Sequence, residues 1–255
     1  MTAADPQFLD VGAGPDLRRI AFRRRDGRGP TVVWLGGFRS DMLATKAAAL
    51  DGRAERNGRA FVRFDYSGHG ESGGRFEDGT ISRWTQDALA VLEAQVADAP
   101  ILVGSSMGGW IALLVARERA RRGLPPPAGL VLIAPAVDFT ERLMWEHFPQ
   151  SVRDEIREKG VFLRPSAYGD PYPITRGLIE DGRNNLLFGA PILPGCPVHV
   201  LQGMQDPDVP WRHAMTLLEH LPGDEAVITL IKDGDHRLSR DEDVARLISA
   251  VEAIA

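Results

Sequence analysis

Cysteine is all but missing: Cys196 is the single one in 255 residues. That excludes an internal disulfide framework and any metal site built from several thiolates. Lysine is scarce too. Of 30 basic residues only Lys46, Lys159 and Lys232 are lysines, a usage that reads as coding bias. No run of about 18 apolar residues exists, so no helix is expected to span a membrane. The opening MTAADPQFLD carries no apolar core of a secretory signal. The excess of positive charge that nucleic acid demands is also missing, since the formal net charge is −5. These absences lead to the expectation of a cytoplasmic protein with no nucleic-acid partner and no membrane span.

What is present is an ordinary globular composition, 44% hydrophobic and 25% charged. At this length about three quarters of the unfolded chain's surface can be buried. Short β-rich runs alternate with helical runs. Gln7–Val11 and Leu17–Arg24 read as a hairpin around the turn-rich Gly12–Asp16. Thr31–Leu35, Ala60–Phe64, Ile101–Val103, Gly129–Ala134, Val198–Gln202 and Ala226–Ile231 read as buried strands. Between and after them, Thr45–Asn57, Ile81–Val96, Trp110–Arg122, Trp211–Leu221 and Asp241–Ile254 carry helical spacing. Strands alternating with helices predict an α/β fold, a mostly parallel central sheet covered on both faces.

Val137–Pro194 breaks this rhythm. It holds one helical stretch (Gln150–Lys159), a cluster of Pro165, Gly169, Pro171 and Pro173, and no convincing central strand. An insertion this long between strands is usually functional, often a lid, with structural embellishment as the plainer alternative. The expected organisation is a core of residues 1–136 and 195–255 with a lid or cap at 137–194.

Leu102-Val-Gly-Ser-Ser-Met-Gly-Gly-Trp110 poses the chemical question. A P-loop needs a lysine that this stretch lacks. A dinucleotide loop needs a second glycine and the first strand of the fold. Gly104-Ser105-Ser106-Met107-Gly108 instead matches Gly-x-Ser-x-Gly between a strand and a helix. There the chain reverses steeply, and side chains two residues before and after the serine would collide, so both positions must be tiny. Only Ser106 has glycine at both places, which names it over Ser105 as nucleophile.

A serine hydroxyl needs a base, and in this architecture the order is Ser, acid, His. His69 precedes the nucleophile in a glycine-rich turn, His147 lies in the insertion, His199 in a strand, and His213 and His220 on a helix. His236 follows the last strand, at the carboxyl end of the sheet where catalytic groups gather, and is the candidate base. Asp206, after the preceding strand, is the candidate orienting acid. Asp208 reads as a helix-start acid, and Asp138 is a third option. Backbone donors for the oxyanion are expected at Phe38, after Gly36-Gly37, and at Met107. The plainer reading of Gly36-Gly37 is a tight turn. No metal or organic cofactor is required.

With these residues on the page, the chain resembles an α/β-hydrolase over nearly its whole length. More narrowly, Gly36-Gly-Phe-Arg-Ser-Asp-Met42, Thr45-Lys46-Ala47 and Phe64-Asp-Tyr-Ser-Gly-His-Gly-Glu-Ser72 resemble the α/β-hydrolase-domain-containing protein 10 group. That group contains mitochondrial and bacterial enzymes cleaving acyl thioesters on palmitoylated cysteines, and acyl glucuronides. The resemblance implies Ser106 as nucleophile, Asp206 as acid and His236 as base, and hence a carboxylesterase or thioesterase working through an acyl-enzyme on a small-molecule or acylated substrate. The Phe64–Ser72 segment is common to many α/β-hydrolases and speaks for the superfamily; Gly36–Ala47 is the narrower signal. The chain departs from the group in showing no amphipathic presequence, and in its 137–194 segment. In that segment Leu143, Met144, Trp145, Phe148, Phe162, Leu186, Leu187 and Phe188 are candidates to line an apolar acyl site, or else form the insertion's own small core. Arg39 reads as a surface arginine, with steering of an anionic group as the alternative. A peptidase on the same fold carries the same triad. A binding protein that has lost the chemistry has no need of all three residues.

Overall fold

The computed structural model describes residues 5–166, 169–223 and 225–254, so both ends of the expected core lie outside the described residues. The expected hairpin forms: β1 (Gln7–Val11) pairs antiparallel with β2 (Arg18–Arg25). β3 (Arg28–Leu35) starts earlier than its apolar run, because Arg28 already pairs with Arg59 before a register shift leads into Val32. α1 (Thr45–Asn57) stops at Gly58, whose left-handed φ of 62° lets its amide close the last turn. β4 (Arg59–Phe64), α2 (Ile81–Gln95), β5 (Ile101–Ser105), α3 (Met107–Arg121) and β6 (Gly129–Ile133) follow. α3 begins three residues before the expected Trp110, directly behind Ser106.

Residues 137–194 depart from their sequence reading in two ways. No strand of the central sheet is expected there and none is found among the described residues, but β7 (Val161–Ser166) and β8 (Gly169–Thr175), around the Pro and Gly cluster, form a separate two-stranded antiparallel sheet. Both of its strands are edges, so the missing N–H groups of Pro165, Pro171 and Pro173 need disrupt no central ladder. After the expected helix α4 (Gln150–Lys159) and this hairpin comes α5 (Arg176–Arg183), a helix the sequence reading lacks. Thr175 starts it by accepting a hydrogen bond from the Leu178 amide.

The chain ends with β9 (Val198–Gly203), α6 (Trp211–Glu219), β10 (Ala226–Ile231) and α7 (Asp241–Ile254). Among the described residues the main sheet has eight strands in the order β1-β2-β4-β3-β5-β6-β9-β10. From β4 to β10 every neighbouring pair is parallel, so the loops after β3, β4, β5, β6, β9 and β10 emerge at one edge. Strand side chains alternate between two cores. Val33, Leu35, Leu102 and Leu130 face α2, α3, α6 and part of 137–194, while Val32, Trp34, Ile101 and Val131 face α1 and α7.

Candidate active site

Ser106 stands between β5 and α3 with φ 55° and ψ −117°, a conformation that side-chain-bearing residues avoid. Its amide donates to the Ile133 carbonyl at 2.8 Å, and its own carbonyl accepts from Gly109 at 2.9 Å and Ala136 at 3.1 Å. The flanking glycines are required by close approach. A Cβ on Gly104 would lie 2.3 Å from the Gly108 oxygen, and one on Gly108 would lie 2.1 Å from the Leu35 oxygen. The loop after β3 therefore rests on the first turn of α3. Next along it, a Cβ on Gly37 would sit 3.4 Å from the Ser106 Cβ, so the segment that leads into Phe38 passes beside the serine.

At the same sheet edge, after β9 and β10, Asp206 and His236 meet. His236 Nδ1 donates to Asp206 Oδ2 at 2.8 Å. The carboxylate is fully buried, whereas a quarter of the imidazole is exposed. Asp206 Oδ1 accepts from the Asp208 and Val209 amides at 2.9 and 2.8 Å, and Oδ2 also accepts from Gln202 Nε2 at 3.2 Å. Asp208 itself is exposed, and its hydrogen bond to Asp206 comes from its backbone amide. The two loops abut, since a Cβ on Gly203 would lie 2.4 Å from the Gly234 oxygen. Among the described residues no direct hydrogen bond joins Ser106 to His236. Asp206, Asp208 and His236 bring three potential ligand atoms within 4.8 Å of one another, but Asp206's oxygens already carry four hydrogen bonds with which a cation would compete.

The other histidines are engaged elsewhere or stand apart. His199 Nε2 bonds Thr229 Oγ1 at 2.9 Å, His213 Nε2 bonds the Val137 carbonyl at 2.8 Å, and His220 Nδ1 bonds the Thr216 carbonyl at 2.8 Å. His147 is exposed. Asp138 is buried with φ 56° and accepts from the Leu187 amide at 2.9 Å and the Phe188 amide at 2.9 Å. Its burial pushes its carboxyl pKa up.

Comparison with known proteins decides the family. The Alpha/beta hydrolase family model matches residues 8–248. The chain belongs to this family. Human palmitoyl-protein thioesterase ABHD10, mitochondrial, is 33% identical over 241 residues, covering 93% of this chain and 77% of that protein. Mouse alpha/beta hydrolase domain-containing protein 10 superposes with a TM-score of 0.87 at 31% identity, covering 98% of each chain. A crystal structure from Agrobacterium vitis S4 is nearer, with 50% identity, a TM-score of 0.95 and 98% of each chain covered. The α/β-hydrolase fold and the likeness to the ABHD10 group expected from sequence are thus both found, and the family supports hydrolytic chemistry.

In this α/β-hydrolase the candidate lining residues differ in their surroundings. Trp145 is ringed by the guanidinium groups of Arg153, Arg157 and Arg183 at 5.8, 5.1 and 4.8 Å. Phe188 packs on His213 and His220 at 5.2 and 5.1 Å. Leu143, Phe148 and Phe162 are half-buried against the core, Met144 and Leu187 are buried, and Leu186 is exposed. Phe38 is the hub of an aromatic cluster, with ring centroids of Phe76, Phe139, Trp84 and Tyr172 at 5.0, 5.7, 5.8 and 6.0 Å. Arg39 stacks over Tyr172 at 4.5 Å, and both border a cavity of about 310 Å³ with Asp41, His69, Phe76 and Glu77. No helix among the described residues is long and apolar enough to cross a membrane.

Sequence reasoning missed three braces. Gln202, fully buried, ties Asp206 to the Val209 carbonyl at 3.0 Å. Lys46, buried on α1, donates to the Arg237 carbonyl beside His236 and to Ser239 Oγ at 3.4 Å. His69 accepts from the Arg39 amide at 3.1 Å. A lysine on the apolar face of a helix is the one signal that sequence offered.

Proposed function

We propose that this protein is a serine hydrolase that cleaves carboxylic esters or acyl thioesters through Ser106, His236 and Asp206. One observation carries the reading: Ser106 is held in a left-handed backbone at the sheet edge where Asp206 and His236 are hydrogen-bonded. Because Nδ1 is committed to Asp206, Nε2 is the nitrogen left to act as base. Ser106 Oγ attacks the acyl carbonyl while Nε2 takes its proton, and Asp206 stabilises the imidazolium. The Phe38 and Met107 amides hold the oxyanion, each worth about 3 kcal/mol of barrier. The leaving alcohol or thiol departs with the proton from His236. Water then attacks the acyl-enzyme by the same route. The serine–histidine hydrogen bond forms as substrate closes the site, a tightening common to catalytic pairs.

The palmitoyl-protein thioesterase name of the ABHD10 relatives supports an acyl thioester as substrate. Residues 137–194 serve as the cap, with Leu143, Trp145 and Phe188 on its acyl-binding side. Cytoplasmic location belongs to the same proposal; cell fractionation tests it against the mitochondrial location in the relatives' names. A fluorophosphonate probe tests the nucleophile: labelling of wild type and none of Ser106→Ala is expected. Panels of p-nitrophenyl esters, acyl thioesters and aminoacyl amides, with short and long acyl chains, then sort the substrate. Ser106→Ala should lose about 10⁶ in kcat, as comparable triads do. Hydrolysis retained in that variant defeats the assignment, and turnover of amides alone replaces it with a peptidase.

A further inference from the structure

Phe64–Ser72 marks the superfamily in sequence, but the mechanism above gives it no task. It forms the turn after β4, and in the sheet β4 lies beside β3. The turn therefore stands next to the loop that carries Phe38, and three of its groups or neighbours reach across. Asp65, 2% exposed, accepts from the Met42 amide at 2.6 Å through Oδ1 and from the Glu71 amide at 2.8 Å through Oδ2. Arg63 Nη1, at the end of β4, donates to the Met42 carbonyl at 3.1 Å. These hold the far end of the loop. His69 holds its middle: Nε2 accepts from the Arg39 amide at 3.1 Å, while Nδ1 lies 3.2 Å from the Ser67 carbonyl.

The two contacts fix the ring's chemistry. A carbonyl can only accept, so Nδ1 carries the proton and Nε2 presents its lone pair to Arg39. The ring is 4% exposed and packs edge-on against Phe76, Trp84 and Tyr66 at 5.1, 5.2 and 5.9 Å. Burial pushes its pKa down to about 4, which keeps it neutral and able to accept near pH 7.

What the bond controls follows from peptide geometry. The Ser40 amide donates to the Gly37 carbonyl at 3.1 Å, closing a tight turn with Phe38 and Arg39 at its centre. Arg39 takes a φ of 60° there, unfavourable for a residue with a side chain. The Arg39 N–H belongs to the central peptide of that turn, one residue beyond the Phe38 N–H. The Gly37 carbonyl and the Phe38 N–H belong to one planar trans peptide and point in opposite directions. With the carbonyl turned in toward Ser40, the Phe38 N–H is turned out of that turn, and its neighbour Gly37 lies beside Ser106.

The geometry points to His69 as a positioning residue: as a neutral acceptor it ties the Arg39 amide of the Gly37–Ser40 turn to the turn after β4, and so holds in place the loop that presents the Phe38 amide to the reacting carbonyl. This rests on the serine-hydrolase reading for its consequence in rate, but not for the clamp itself.

The test uses the full chain with two variants. His69→Phe keeps an aromatic ring in the aromatic surround and removes the acceptor. His69→Gln restores an acceptor oxygen. Backbone amide exchange at Arg39, followed by NMR, reads the clamp; kcat and KM on a p-nitrophenyl ester read its consequence. His69→Phe should speed Arg39 exchange by about tenfold or more, the loss expected for one hydrogen bond. It should lower kcat by roughly 10–10², part of the loss for a missing oxyanion donor, with KM within about twofold. His69→Gln should return both to within about threefold. Unchanged Arg39 exchange in His69→Phe overturns the clamp. Faster exchange with wild-type kcat overturns the positioning role, as does an equal loss in His69→Gln and His69→Phe. If wild type and Ser106→Ala hydrolyse nothing alike, the serine-hydrolase reading fails separately, and the exchange arm still decides the clamp.

Discussion

Gly108→Ala puts one methyl group where the chain has least room. The new Cβ would lie 2.1 Å from the Leu35 oxygen, 2.6 Å from the Gly36 oxygen and 2.7 Å from the Leu35 carbonyl carbon, all backbone. Ordinary contact begins near 3.4 Å, so the first turn of α3 and the loop after β3 must part by more than 1 Å. Neither side has a rotamer to yield. Gly108 is two residues beyond Ser106, and Leu35 and Gly36 lead into Phe38, so the gap opens between the proposed nucleophile and the proposed oxyanion donor. A misplacement of about 1 Å in such a constellation costs roughly 10² in rate. Overpacking of this kind costs about 1–3 kcal/mol of stability. In a chain of this size that lowers Tm by roughly 2–4 °C per kcal/mol. Calorimetry and kcat/KM on a p-nitrophenyl ester measure both effects. Gly189→Ala is the control, because nothing lies within 4 Å of its Cβ; it should stay within about 0.5 kcal/mol of wild type. Wild-type Tm and turnover in Gly108→Ala would refute the steric account of the elbow.

Asp206→Asn should lower kcat by roughly 10⁴, the loss that follows when the imidazole takes the wrong tautomer; a loss under tenfold in a steady-state assay contradicts the orienting role. Lys46 tests linkage. Burial pushes its pKa from 10.5 down to about 8, so between those values the unfolded chain binds more protons than the folded one. Stability must therefore rise with pH across that window, and the full penalty, about 3 kcal/mol, is present below it. Lys46→Met should remove that rise, and urea denaturation at several pH values shows it; identical slopes in the two proteins would sink the argument. Asp138→Ala should destabilise by about 2–4 kcal/mol, because it strands the buried Leu187 and Phe188 amides. An unchanged denaturation midpoint would show that those amides find other partners.

The sequence made the elbow and the sheet legible, and the difference from what it hid is physical. Gly104 obeys a clash with the Gly108 backbone, within five residues, so that constraint appears in the spelling itself, whereas the room Gly108 needs is set by the Leu35 and Gly36 oxygens of another loop. Buried strands such as Ile101–Ser105 announce themselves by apolar runs, α1 by its spacing and its stop at Gly58, and α4 and α7 by spacing. The β7–β8 hairpin hid behind its prolines, because a strand that is all edge escapes the rule that bars proline from central ladders. Asp206 and His236 were within reach since each follows a strand whose place in the chain order is set by the architecture. His69 was not. Its partner is an amide 30 residues away, and a bond between loops leaves no period in a sequence. Yet strand order makes such bonds intelligible. With β4 beside β3 and β3 beside β5, the turn after β4 stands where it can brace the loop after β3, and that loop in turn covers the elbow after β5. The same adjacency lets the loops after β9 and β10 support each other. A parallel sheet is thus a means of choosing which loops stiffen which, and residues assigned by motif alone to the superfamily gain a specific task once their neighbours are known.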